Sequence, residues 1–239
     1  MLNILIFHLP ASGSTWLQSM LTSNELVTFD QTISQGGSAK KNRERFKKGF
    51  GKDGRNGVIG HKGFPASFGD KPEQIASMLA GTDTLVVFVE RENIVKAAIS
   101  NIRSKIMKKE EGVRFPRKED GKKPFRSTRI EPKELLSYIR SRQSKTAFVN
   151  KVLQHIGKGT EGVSVARVSY ESIYKNPEKE VRRLWKLMHL PDADSVEIEF
   201  DKWIKNTSDS LEESVTNVDE LKKAISKSSF KKMRRMFDE

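Results

Sequence analysis

Apolar residues in this chain fall into short unbroken runs, each followed by residues spaced for one face of a helix. Ile4-Leu5-Ile6-Phe7 is the first run and Thr84-Leu85-Val86-Val87-Phe88-Val89 the strongest. Runs of this length without polar alternation suit strands buried on both faces. A short strand is predicted over 58–60, after a Gly-rich lead-in, and another over 163–168. Helical spacing predicts helices over 72–79, from 93 to about 107, over 131–156 and over 177–188, the last with Pro177 at its permissive first turn. The alternation predicts an α/β fold, a mainly parallel sheet flanked by helices, whose ligands bind beyond the carboxyl ends of the strands. No internal repeat interrupts the pattern.

Pro10 and Gly13 break the first run, and Trp16, Leu17, Met20 and Leu21 then form one apolar helical face that Ser14 is placed to cap. A strand, a tight polar loop and a helix start build an anion site. Free backbone N–H groups at the helix start, with the hydroxyls of Ser12, Ser14 and Thr15 beside them, make a P-loop-like cradle for phosphate or sulfate oxygens. An ordinary strand-to-helix turn with a Ser cap is the bland alternative. No Lys precedes Ser14, so the loop is not a Walker A motif and an ordinary ATP or GTP hydrolase is disfavoured.

Composition narrows the field. At 239 residues the chain suits one domain spanning 1–239. It holds no Cys, which excludes a disulfide framework and a Cys-ligated zinc, and its four His residues show no ligand spacing, so no metal is expected. Residues 1–9 are too few for a signal-peptide core and no apolar run nears the ~20 residues of a membrane span, so a cytoplasmic protein without membrane association is expected. The formal net charge of +13 sits in two segments: residues 40–55 carry +6 and residues 103–129 carry +7. They are expected as basic loops at about 36–56 and 108–130, whose field steers anions. Solvated charge with no partner is the bland alternative, and no nucleic-acid-binding signature supports sequence readout.

The stretch Pro10-Ala11-Ser12-Gly13-Ser14-Thr15-Trp16-Leu17 resembles the phosphosulfate-binding loop of the PAPS-dependent sulfotransferases, usually Pro-Lys/Arg-Ser/Thr-Gly-Ser/Thr-Thr-Trp-Leu, with Ala11 as the one departure. Two further stretches follow in the family's order. Arg91 ends the strongest strand and Ser100 lies nine residues on, similar to the Arg-x-Asn…Ser form of bacterial and carbohydrate-type members rather than the cytosolic branch. Tyr170-Glu171-Ser172 with Pro177 resembles the family's stretch after the last central strand. Two competing echoes near the C-terminus, Ser228 to Met233 and Lys205 to Thr207 with Asn217, decide nothing.

The resemblance implies transfer of a sulfuryl group from PAPS to an acceptor hydroxyl or amine, releasing PAP. Residues 11–16 (Ala11, Ser12, Gly13, Ser14, Thr15 and Trp16) would hold the phosphosulfate, Arg91 and Ser100 the 3′-phosphate, and Trp16 and Tyr170 the adenine. The family puts a cation where Ala11 stands, and Lys62 is the expected substitute. Asp30 and His61 are the candidate bases, with Asp30 favoured by the Arg91 spacing. The basic segments suit an anionic glycan or small anionic metabolite as acceptor. Two alternatives stay open: a weakly catalytic module that binds PAP or polyanions, and, less favoured, a nucleotide or sugar kinase.

Overall fold

Strand β1 (Asn3–His8) is buried along its whole length, as its unbroken apolar run requires. The computed structural model describes residues 3–29, 38–49, 57–111, 127–200 and 210–238. Contacts divide the chain into two compact units, residues 1–90 with 145–200 and residues 91–144 with 201–239.

The first unit holds a five-stranded, all-parallel sheet, ordered β2-β3-β1-β4-β5, with β2 (Val27–Phe29), β3 (Val58–Gly63), β4 (Thr84–Glu90) and β5 (Val163–Ser169). Successive side chains of β1 point to opposite faces. Ile4 and Ile6 pack with Leu17, Met20 and Leu21 of α1 (Ser14–Leu21) and with Val181, Leu184 and Trp185 of α7 (Pro177–Leu187). Leu5 and Phe7 pack with Ile75 and Leu79 of α3 (Pro72–Leu79) and with Val149, Val152 and Ile156, which lie in the C-terminal half of α5 (Pro132–Gly157). The expected α/β class, a parallel sheet flanked by helices, is the fold observed.

Among the elements not expected from the sequence are a short strand and a basic helix. The edge strand β2 has only three residues, and the Phe29 ring lies across Gly60 of β3, where a Cβ would meet it at 2.7 Å. The first basic segment, expected as a loop, contains helix α2 (Ala39–Gly49). Its single large apolar residue, Phe46, is fully buried with Phe68 and Phe7, and Asn42 Nδ2 donates to the Ser67 carbonyl at 2.9 Å. Burying one Phe contributes about 2–3 kcal/mol, which offsets the like-charge repulsion along a helix rich in Lys and Arg.

Helix α1 is fixed at its far end by the buried Trp185, whose Nε1 donates to the Leu21 carbonyl at 3.2 Å. Helix α7 starts where expected, with Asn176 Oδ1 accepting from the Lys179 N–H at 3.0 Å and Pro177 next. Short helix α6 (Tyr170–Lys175) follows β5 directly, capped by the Ser169 hydroxyl, which accepts from the Ser172 N–H at 3.0 Å.

The second unit is helical. It contains α4 (Ile94–Glu111), the N-terminal half of α5, the short α8 (Leu211–Ser214), α9 (Val218–Ser226) and a 3₁₀ turn over Lys231–Phe237. Its core joins Ile99 and Ile102 to Ile139, Leu221, Ile225 and Phe230. The buried Asn217 pins the start of α9, accepting from the Ile130 N–H at 3.1 Å and donating to the Ile130 carbonyl at 2.9 Å. Among the described residues, no helix is long and apolar enough to cross a membrane.

Candidate functional site

The loop between β1 and α1 turns through two left-handed residues, Ala11 at φ 58° and Gly13 at φ 80°. Gly13, not Ser14, is the N-cap of α1, and it offers no side-chain cap; Ser14 is the first helical residue. The sequence expectation of a Ser14 cap fails because Gly takes the left-handed turn at no steric cost and leaves the helix to begin one residue later. The first N–H bonded back along the helix is that of Leu17, which donates to the Gly13 carbonyl at 3.0 Å. The N–H groups of Ser14, Thr15 and Trp16 therefore lie in the first turn, where a helix supplies no acceptor of its own.

Ser12, between the two left-handed residues, is 1% exposed and its Oγ has no hydrogen-bond partner. A buried hydroxyl left unsatisfied costs roughly 1–3 kcal/mol. A phosphate or sulfate oxygen at this loop is the kind of acceptor that relieves it, so the residues present fit an anionic group.

Lys62 reaches the loop. In β3 it is in register with Ile6, so its side chain lies on the α1 face of the sheet. Its Nζ donates to Thr15 Oγ1 at 3.1 Å. Burial pushes its pKa down from 10.5 to about 8, and no carboxylate contributes to the shift. An ammonium held beside a ring of N–H donors attracts an anion through both.

His61, one residue earlier, takes the opposite face. It is in register with Leu5 and fully buried, with its ring 5.3 Å from that of Phe46. The structure thus brings Lys62 to the loop and packs His61 under α2. Asp30 follows the last residue of β2 and lies outside the described residues, as do residues 36–37, 50–56 and 112–126 of the two expected basic loops and the segment 205–207.

Aromatic rings border the loop. The ring of Tyr170, first residue of α6, lies against Gly13 so closely that a Cβ there would meet its Cδ2 at 2.6 Å. Trp16 stands 6.3 Å from Tyr170 at 56°, and its Nε1 donates to the Phe200 carbonyl at 3.2 Å. Tyr174, which sequence reasoning passed over, stacks on Tyr170 at 6.1 Å and 15°. The signal was there: a Tyr-x-x-x-Tyr spacing puts both rings on one helix face.

Arg91 and Ser100 belong to the second unit, where both are buried, Arg91 just ahead of α4 and Ser100 within it. Asn93 between them caps α4, its Oδ1 accepting from the Lys96 N–H at 2.8 Å, and its Nδ2 donates to the Met236 carbonyl at 2.7 Å. Further along α4, burial lowers the pKa of Arg103 to about 10.

An all-parallel five-stranded sheet with a tight left-handed turn between its first strand and first helix, and helices on both faces, defines an α/β protein. No protein-family model matches the chain, and no curated protein matches it in sequence. Among solved structures it is similar to the crystal structure of a sulfotransferase from Alicyclobacillus acidocaldarius, with a TM-score of 0.52 and 14% identity, covering 100% of this chain and 94% of the other. At that identity the likeness is one of fold: the chain has a sulfotransferase-like fold.

Proposed function

We propose that this protein is a PAPS-dependent sulfotransferase. The observation that carries the proposal is the hydrogen bond from Lys62 Nζ to Thr15 Oγ1, since it gives the loop the cation that its sequence lacks at Ala11. The sulfotransferase-like fold, the left-handed Gly13 and the unsatisfied Ser12 hydroxyl support the same reading.

In this reaction an acceptor oxygen or nitrogen attacks sulfur, the bond from sulfur to the phosphate oxygen of PAPS breaks, and PAP leaves with the electron pair. The first-turn N–H groups and the Ser14 and Thr15 hydroxyls bind sulfuryl and phosphate oxygens, and Lys62 neutralises charge growing on the leaving oxygen. Arg91 and Ser100 hold the 3′-phosphate, and Trp16 and Tyr170 the adenine. Asp30 takes the acceptor proton; His61, packed against Phe46 on the other face of the sheet, is a poorer base for it. The exposed Lys40, Lys41, Arg45 and Lys47 of α2 suit an anionic acceptor.

The test is incubation with labelled PAPS and a panel of neutral and anionic acceptors. PAP release that depends on an acceptor is expected. PAPS binding without release for any acceptor would favour the second reading, a PAP-binding module whose chemistry is lost with the cation at Ala11.

A further inference from the structure

The turn proposed to cradle the anion is built on two left-handed residues. Ala11 and Gly13 are both left-handed, a conformation that costs a residue with a Cβ on the order of 1 kcal/mol, and the helix it opens has no side-chain cap. The Tyr170 ring lies against this turn, at Gly13. Tyr170 is in turn covered by Tyr174, one helical turn along α6 and nearly parallel to it. Tyr174 is 50% exposed, too open for a core residue. Its near-parallel contact with Tyr170 gives this half-exposed aromatic side chain a packing partner.

We propose that Tyr174 is a positioning residue for the anion loop: it holds the Tyr170 ring on Gly13, and Tyr170 holds the left-handed turn in its binding shape. The inference rests on the proposal that this loop binds the phosphosulfate end of PAPS, and it makes preorganisation of the loop depend on a residue that does not touch the ligand.

Tyr174→Ala and Tyr174→Phe test it with two measurements. The first is amide hydrogen exchange in the ligand-free protein, which needs no nucleotide. Tyr174→Ala is expected to speed exchange at the Leu17 amide, which bonds back to the Gly13 carbonyl, while leaving β4 unchanged, and Tyr174→Phe to restore the native rate. The second is calorimetric titration with PAP, where Tyr174→Ala is expected to weaken binding about two- to tenfold, the range that an aromatic pair sustains, and Tyr174→Phe to bind as the native protein does. Unchanged loop exchange in Tyr174→Ala overturns the inference, and so does an equal rise in β4, which marks a loss of stability alone. Absence of PAP binding by the native protein overturns the proposed function instead, and the exchange result then still decides the role of Tyr174.

Discussion

Replacing Lys62 by Met is expected to abolish a proton uptake that accompanies anion binding. Burial holds the Lys62 pKa near 8 instead of 10.5, with Thr15 Oγ1 as its hydrogen-bond partner. A phosphate or sulfate group beside the ammonium favours its charged form and returns the pKa toward its ordinary value. At pH 8.5 roughly three-quarters of Lys62 is neutral in the ligand-free protein, so PAP binding takes up about three-quarters of a proton. At pH 6.5 the group is already charged and its uptake is close to zero. Affinity should therefore fall as pH rises above 8, by up to about tenfold per unit, with a ceiling on the order of 3 kcal/mol. Titration calorimetry in buffers of different ionisation enthalpy measures the uptake directly. Native protein with no buffer dependence at pH 8.5, or Lys62→Met with the same dependence as native, would refute the assignment of Lys62 to the anion. The stability of the ligand-free protein carries the complementary sign. Below pH 8 both folded and unfolded chains are protonated and the folded state bears the full cost of the buried charge. Between 8 and 10.5 only the unfolded chain keeps the proton, so stability gains with rising pH. Lys62→Met should thus stabilise the ligand-free protein at pH 7, seen as a raised denaturation midpoint.

Further outcomes follow from the loop and its surroundings. Gly13→Ala places a Cβ at φ 80° and 2.6 Å from the Tyr170 ring, so a loss of about 1–3 kcal/mol in chemical denaturation is expected together with loss of PAP binding; retention of native affinity would show that the turn is not the anion site. Phe46→Ala removes the buried anchor of α2 and should cost about 3–5 kcal/mol, measured by urea denaturation; a cost under 1 kcal/mol would mean that α2 is held by other contacts. Ala11→Lys restores a cation to the loop, and faster turnover with labelled PAPS is expected if the site is short of positive charge, whereas an unchanged rate would indicate that Lys62 suffices. Reversing Lys40, Lys41 and Lys47 to Glu should raise KM for an anionic acceptor at low salt and leave PAP affinity unaltered; the same KM would remove α2 from acceptor binding.

Much of the architecture was legible because buried parallel strands write themselves as continuous apolar runs. Residues 84–89 and 163–168 each lie inside an observed strand, and the Asn176-Pro177 start of α7 carries a cap and a proline that act locally. The short edge strand β2 was hidden because three residues hold no period. Helix α2 was hidden for a different reason. Its sequence is dominated by like charges that favour a solvated chain, and tertiary contacts such as the burial of Phe46 and Asn42 hold it as a helix. Within the candidate site, the place of the loop between a strand and a helix was readable from order and type. The hydrogen bond of Lys62 to Thr15 was not, since it depends on strand register: one residue decides that Lys62 faces α1 while His61 faces Phe46. Composition alone would have ranked that histidine above the lysine as a functional group. The left-handed turn at Ala11 was also beyond reach, because Ala carries none of the conformational signature that Gly13 does.

The central claim, that the loop after β1 recognises a 3′-phosphorylated phosphosulfate rather than a nucleoside triphosphate, is tested most directly by calorimetric titration of the protein with PAP and, separately, with ATP and magnesium. Micromolar PAP binding that is lost in Arg91→Ala, with ATP bound far more weakly, is the predicted result. Tighter binding of ATP with magnesium, or PAP affinity indifferent to Arg91→Ala, would contradict it.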